Sequence, residues 1–92
     1  MKLIICSVYD SATEAYMRPW MAQAPAQALR MFQDEAVNPE TPIAQHPEDY
    51  SLFQIGTFTD HNGEITPMEP VCLARAHEVK AQAATIHKME AN

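Results

Sequence analysis

The sequence predicts a single α+β domain: a four-stranded, mostly antiparallel sheet, one helix packed on it and a second helix at the C-terminus, in the order ββαββα. Three observations lead there. Leu3 to Tyr9 is an apolar run with no polar helical face, the pattern of a strand buried on both sides. After Pro25, the residues Leu29, Phe32 and Ala36 recur at helical spacing and give one apolar stripe. Ser51 to Thr59 is aromatic and β-branched and runs into Asp60-His61-Asn62-Gly63-Glu64, which reads as a strand entering a hairpin turn.

Each element has a local cause. Leu3–Tyr9 is expected at the centre of the sheet. Asp10-Ser11-Ala12-Thr13-Glu14 supplies a turn, because Asp and Ser side chains bond to the backbone just ahead of them. Ala15 to Ala22 reads as a second strand, and Pro19 within it makes it an edge or places a bulge there, since proline cannot donate to a ladder. Pro25 suits the first helical position, and Asn38-Pro39 ends that helix. Asp34 and Glu35 fall in its last turn, where negative charge opposes the helix dipole by roughly 0.3–1 kcal/mol each. Asn38 to Asp49, with Pro39, Pro42 and Pro47, reads as a loop. In the strand Ser51–Thr59, strict alternation puts Phe53 and Ile55 on one face and Leu52 and Phe58 on the other. Asn62-Gly63 suits a type I′ turn, and Glu64–Glu69 returns as an edge strand because of Pro67. Pro70 then opens a segment from Val71 to Met89 whose Leu73, Ala76, Lys80, Ala84 and His87 spacing predicts a helix fraying toward Asn92.

Ninety-two residues make one domain, 1–92, with 81–92 expected as a frayed C-terminal extension. A chain this short buries only about 60–65% of its unfolded surface, and a sheet with one helix leaves apolar area to cover, so association as a homodimer is expected. With 47% apolar and 20% charged residues the composition is globular. Cys6 and Cys72 each sit in an apolar run and read first as buried, reduced thiols, with a single disulfide as the alternative. The N-terminal apolar run is too short for a secretory signal, and no stretch is long enough to span a bilayer. The expectation is a protein that stays in the cytoplasm of the cell that makes it, away from membranes.

The net charge of −6 is unevenly spread: residues 31–69 hold eight acids and no Lys or Arg, and every cation lies in the terminal thirds. Tyr16, Arg18 and Trp20 alternate on the second predicted strand and would share a face. Either they stack bases of a single strand, or they pack on the helix or on a second subunit. Lys2, Arg30 and Arg75 complete the candidate nucleic-acid-binding residues, and in a dimer these cations would align along one groove. Glu48 and Asp49 are the candidate partner-binding residues, set to meet a basic partner. His46, His61, His77 and His87 have no spacing that places two imidazoles on one ion, so no metal is expected. His46 beside Glu48 and Asp49 reads as a rigid loop rather than a base with its carboxylates. No nucleophile is paired with a base, and with two glycines there is no phosphate cradle. No catalytic residue and no cofactor is expected.

One stretch carries a resemblance as well: His46-Pro47-Glu48-Asp49-Tyr50-Ser51-Leu52-Phe53 with Ile55-Gly56-Thr57-Phe58. Together with Met1-Lys2-Leu3, Val8-Tyr9-Asp10-Ser11, Glu14-Ala15-Tyr16 and Ala28-Leu29-Arg30-Met31-Phe32, it resembles the small non-structural protein of gokushoviruses, the tailless single-stranded DNA phages of the Microviridae. The similarity covers most of the chain and stops near Lys80. It implies a non-enzymatic phage protein acting in the host cytoplasm, binding single-stranded DNA during genome replication or packaging. It brings no catalytic or ligand residues with it. Two rival readings are an acidic adaptor for a phage or host replication protein, and a self-associating assembly element.

Overall fold

A computed structural model describes residues 1–90, with side chains described through Thr85. The fraying toward Asn92 and the side chain of His87 lie outside the described residues. The elements run β1 (Lys2–Asp10), β2 (Ala15–Tyr16), β3 (Trp20–Ala22), α1 (Pro25–Val37), α2 (Pro42–Gln45), a 3₁₀ turn at Pro47–Asp49, β4 (Tyr50–Thr59), β5 (Glu64–Arg75) and α3 (Ala76–Glu90). All pairings are antiparallel: β2 and β3 share one side of β1, β4 takes the other, and β5 lies outside β4. This is the expected α+β architecture, with the second strand split in two.

β1 is central because it is largely apolar on both faces; Ile5, Cys6 and Val8 are buried, as is Ser7, the polar exception. Directly paired residues of neighbouring strands share a face. Through Val8↔Leu52 and Cys6↔Trp20, one face presents Cys6, Val8, Trp20 and Leu52. Against it pack Ala28, Phe32 and Ala36 of α1, Ile43 of α2, and Ala76 and Val79 of α3. That is the core. The expected stripe of α1 is thus observed, with Ala28 completing it and Leu29 half-buried at its margin. Pro25 occupies the first turn of α1. At its other end the Thr41 hydroxyl donates to the Glu35 carbonyl (2.6 Å) and accepts from Ala44 N–H (3.1 Å). One side chain therefore ends α1 and starts α2, within a segment the prolines alone suggest is loop. The Lys80 ammonium donates to the Ala44 carbonyl at 2.6 Å and ties α3 to α2.

Four local expectations are corrected. The second strand is interrupted after Tyr16: Met17 N–H still donates to Val8 O of β1 at 2.8 Å, and Arg18 and Pro19 then leave the ladder before β3. In β4 the register slips between Ile5 and Cys6, which pair with Gly56 and Gln54 and leave Ile55 as the extra residue. Phe53 (opposite Ser7) and Phe58 (opposite Leu3) consequently share one face instead of opposing one another. The β4–β5 connection is a four-residue loop, Asp60–Gly63, rather than a type I′ turn. Gly63 alone in it has positive φ (+77°), and its N–H donates to Thr59 O at 2.9 Å. Finally, β5 continues through Arg75, so Val71–Arg75 is strand and the helix begins only at Ala76. Pro67 and Pro70 are carried on this outer strand, the place in a sheet where proline is tolerated.

The long β4–β5 hairpin runs past the helices. Residues 60–72 are all exposed, and the molecule measures 51 × 30 × 21 Å with a radius of gyration of 14.4 Å, against about 12 Å for a compact chain of this length.

Both thiols are free, but Cys72 is exposed, contrary to the expectation of two buried ones. They cannot join, since β4 lies between their strands, about 10 Å of sheet, beyond the reach of a disulfide. Burial raises the Cys6 thiol above its ordinary value of 9.0. A thiol held protonated in the fold stabilises it below the unfolded pKa and loses that contribution as pH rises through the folded one. Two outcomes are expected. Maleimide labels Cys72 in the native protein and Cys6 only after unfolding, which mass spectrometry reads. Stability measured by urea falls above about pH 9, and Cys6→Ala flattens that part of the profile.

Candidate functional site

The helices cover one face of the sheet. The other carries Leu3, Ile5, Ser7 and Tyr9 of β1, paired with Phe58, Gly56, Phe53 and Ser51 of β4. Tyr16 and Met21 join this face through their pairing with Tyr9 and Ile5, and Ile65 does so through Phe58. Ser7 is buried there, its hydroxyl donating to the Met17 carbonyl at 2.6 Å. That bond holds the β2–β3 interruption against β1.

At one end of this open face three rings meet edge to face. The centroid separations are 4.9 Å for Tyr9–Tyr16, 5.8 Å for Tyr16–Phe53 and 6.3 Å for Tyr9–Phe53. Tyr16 is 45% exposed, while Tyr9 and Phe53 are half-buried. Beside them lies a groove of about 370 Å³ lined by Tyr9, Phe53, Glu48, Asp49, Arg75 and His77. Arg75 belongs to this face because it pairs with Ser51. The 3₁₀ turn brings in the acids, with Asp49 N–H donating to His46 O at 3.0 Å and Ser11 N–H to Asp49 O at 2.9 Å. His46, Glu48 and Asp49 each offer a ligand atom within 4.8 Å of the others. The expectation of no metal considered pairs of histidines; this set is one imidazole and two carboxylates on a single turn. Exposed acidic groups of this kind are common without an ion.

The six nucleic-acid candidates do not form one surface. Tyr16 and Arg75 reach the open face. Trp20, four residues beyond Tyr16 and the first residue of β3, turns to the helix side, because the chain leaves the ladder between β2 and β3 instead of alternating through it. Arg18 accompanies Trp20 in a second groove, of about 290 Å³, between β3, α1 and α2. Arg30 lies exposed on α1 and Lys2 at the far end of β1. Tyr9 and Phe53 are the aromatic residues that sequence reasoning missed, each having been read as part of a strand. Their positions opposite Tyr16 and Ser7 supply the missing signal. The Trp20 indole Nε1–H is enclosed and has no acceptor among the described residues, a state that costs on the order of 1–3 kcal/mol.

The arrangement defines a small α+β protein with its helices packed on one sheet face and a partly exposed aromatic surface on the other. Residues 3–79 match the model of the family described as Phage ORF5 protein, and the chain belongs to that family. Comparison with curated proteins and with solved structures gives no match. Among the described residues, no helix is long and apolar enough to cross a membrane.

Proposed function

We propose that the protein is a non-enzymatic accessory protein of a gokushovirus-type phage, holding single-stranded DNA on its open sheet face during genome replication or packaging. The observation that carries this reading is the Tyr9–Tyr16–Phe53 cluster on a face that no helix covers. Unpaired bases stack on such rings, each contributing roughly 1–3 kcal/mol. Arg75 is the cation placed to meet a phosphate beside them. A net charge of −6 and the acids of the same groove exclude the usual polycationic mode. Binding by this face is therefore dominated by stacking, and its salt dependence is shallow, about −0.7 in log K per log salt for one phosphate.

Fluorescence anisotropy of a labelled single strand and its duplex, across salt, tests this. Binding of the single strand should weaken on Tyr16→Ala by about 1–3 kcal/mol and stay unchanged on Trp20→Phe. Binding of neither form at low salt, or equal affinity of Tyr16→Ala, would sink the reading. A second reading, an adaptor for a basic replication protein, draws on Glu48 and Asp49 standing together at the groove. Charge reversal of both would weaken that complex without unfolding the protein. Self-association as a dimer would double the rings and cations presented to one strand, and sedimentation across concentration reads it.

A further inference from the structure

We propose that the groove between β3 and α1 receives an apolar side chain of a partner polypeptide, one that sets an acidic group against Arg18 and a basic group against Glu35. The groove is separate from the open face and lies on the helix side of the sheet, so this inference does not depend on DNA binding.

Its floor is apolar: Val8 of β1, Phe32 of α1 and Ile43 of α2. Trp20 forms a wall, and Met17 and Met31 stand at the mouth, 45% and 46% exposed. Methionine side chains are flexible and polarizable, and they re-pack around whatever enters between them. About 290 Å³ is at the low end for small-molecule sites, which run from about 300 Å³, and roughly twice a cavity that holds benzene. That suits one large apolar side chain with part of its backbone. The groove opens to solvent along one side, so an occupant is enclosed only partly. A side chain borne on a larger body meets that condition, because the body covers the mouth.

Polar features select among polypeptides. Arg18 and Glu35 both line the groove, and neither makes an ion pair among the described residues. Two unengaged charges of opposite sign, one from the β2–β3 connection and one from α1, line the same apolar slot, and an apolar residue with an acid and a base beside it complements them. The enclosed Trp20 Nε1–H lacks an acceptor among the described residues.

Trp20 is the sole tryptophan of the chain, so its indole N–H gives one resonance in a ¹⁵N–¹H spectrum and reports on this groove alone. The probe is a set of capped pentapeptides with a central leucine flanked by aspartate and lysine in both orders, each matched by a central-serine control. The expected result is a downfield shift of the indole proton with one leucine peptide at millimolar concentration, and none with its serine control. Glu35→Lys should weaken that peptide by roughly two- to fivefold, the range of an exposed ion pair. Met31→Glu should abolish the shift while leaving oligonucleotide binding intact. The proposal is overturned if no peptide moves the resonance, or if serine and leucine peptides move it equally. It is also overturned if the resonance moves with protein concentration alone, which would make a second copy the occupant. Movement with the oligonucleotide would make a base the occupant, and overturns it too.

Discussion

Phe32→Ala is expected to lower the stability of the fold by about 3–5 kcal/mol, the cost of emptying a well-packed aromatic site. A domain of this length has only about 5–14 kcal/mol in total. Phe32 is 1% exposed and is the largest fully buried side chain. It sits midway along the buried face of α1, between Ala28 and Ala36, two small residues that cannot move in to fill the space. Urea unfolding followed by Trp20 fluorescence should show a lower midpoint with an unchanged slope. A loss under 1 kcal/mol would mean that α1 does not pack on the sheet through this stripe. Phe32→Asp, which buries a charge in the same place, should give no folded protein.

Gly56→Val should also destabilise markedly, against the trend of intrinsic preference, since valine favours strands and glycine does not. A Cβ on Gly56 would lie 2.8 Å from the Thr66 carbonyl oxygen and 3.5 Å from Pro67 Cα. Both are backbone atoms of β5, so relief requires β4 and β5 to separate where their register is already irregular. Overpacking of this kind costs about 1–3 kcal/mol, with the second γ-carbon of valine at the upper end. Gly63→Ala isolates the other role of glycine. Its Cβ would meet nothing within 4 Å, and the strain comes only from φ of +77°, about 1–2 kcal/mol. Hydrogen exchange should place the Gly56→Val defect across the β4–β5 ladder and the Gly63→Ala defect at the loop. If Gly56→Val melts no lower than the parent, the close approach of the two strands is not as described.

The elements legible in the sequence were those whose side chains pack in one register from end to end. β1 is apolar at every core position, and α1 keeps its spacing between a proline start and an Asn-Pro stop, so local pattern and tertiary packing agree. Legibility failed wherever the backbone departs from strict period. The extra residue at Ile55 moves Phe58 across the sheet. The interruption of the ladder between β2 and β3 sends Trp20 to the face opposite Tyr16. For Val71–Arg75 the helix formers and the helical spacing that starts at Leu73 point to helix, yet the segment is strand. Its place on an outer strand is decided by pairing with β4, which no local window contains. The candidate site shows the same division. Tyr16 and Arg75 stand out in the sequence as single residues, whereas the ring cluster joins three strands and exists only once they are in register.

The central position of β1 sets a timetable for the nascent chain. Its short partner β3 follows within about twenty residues, but its principal neighbour, β4, is complete only at Thr59. At synthesis rates of about 5–20 residues per second, the most apolar strand of the protein waits roughly 2–10 s with one side unpaired. The same strand that anchors the finished sheet is therefore the segment most in need of shelter while the chain is being made.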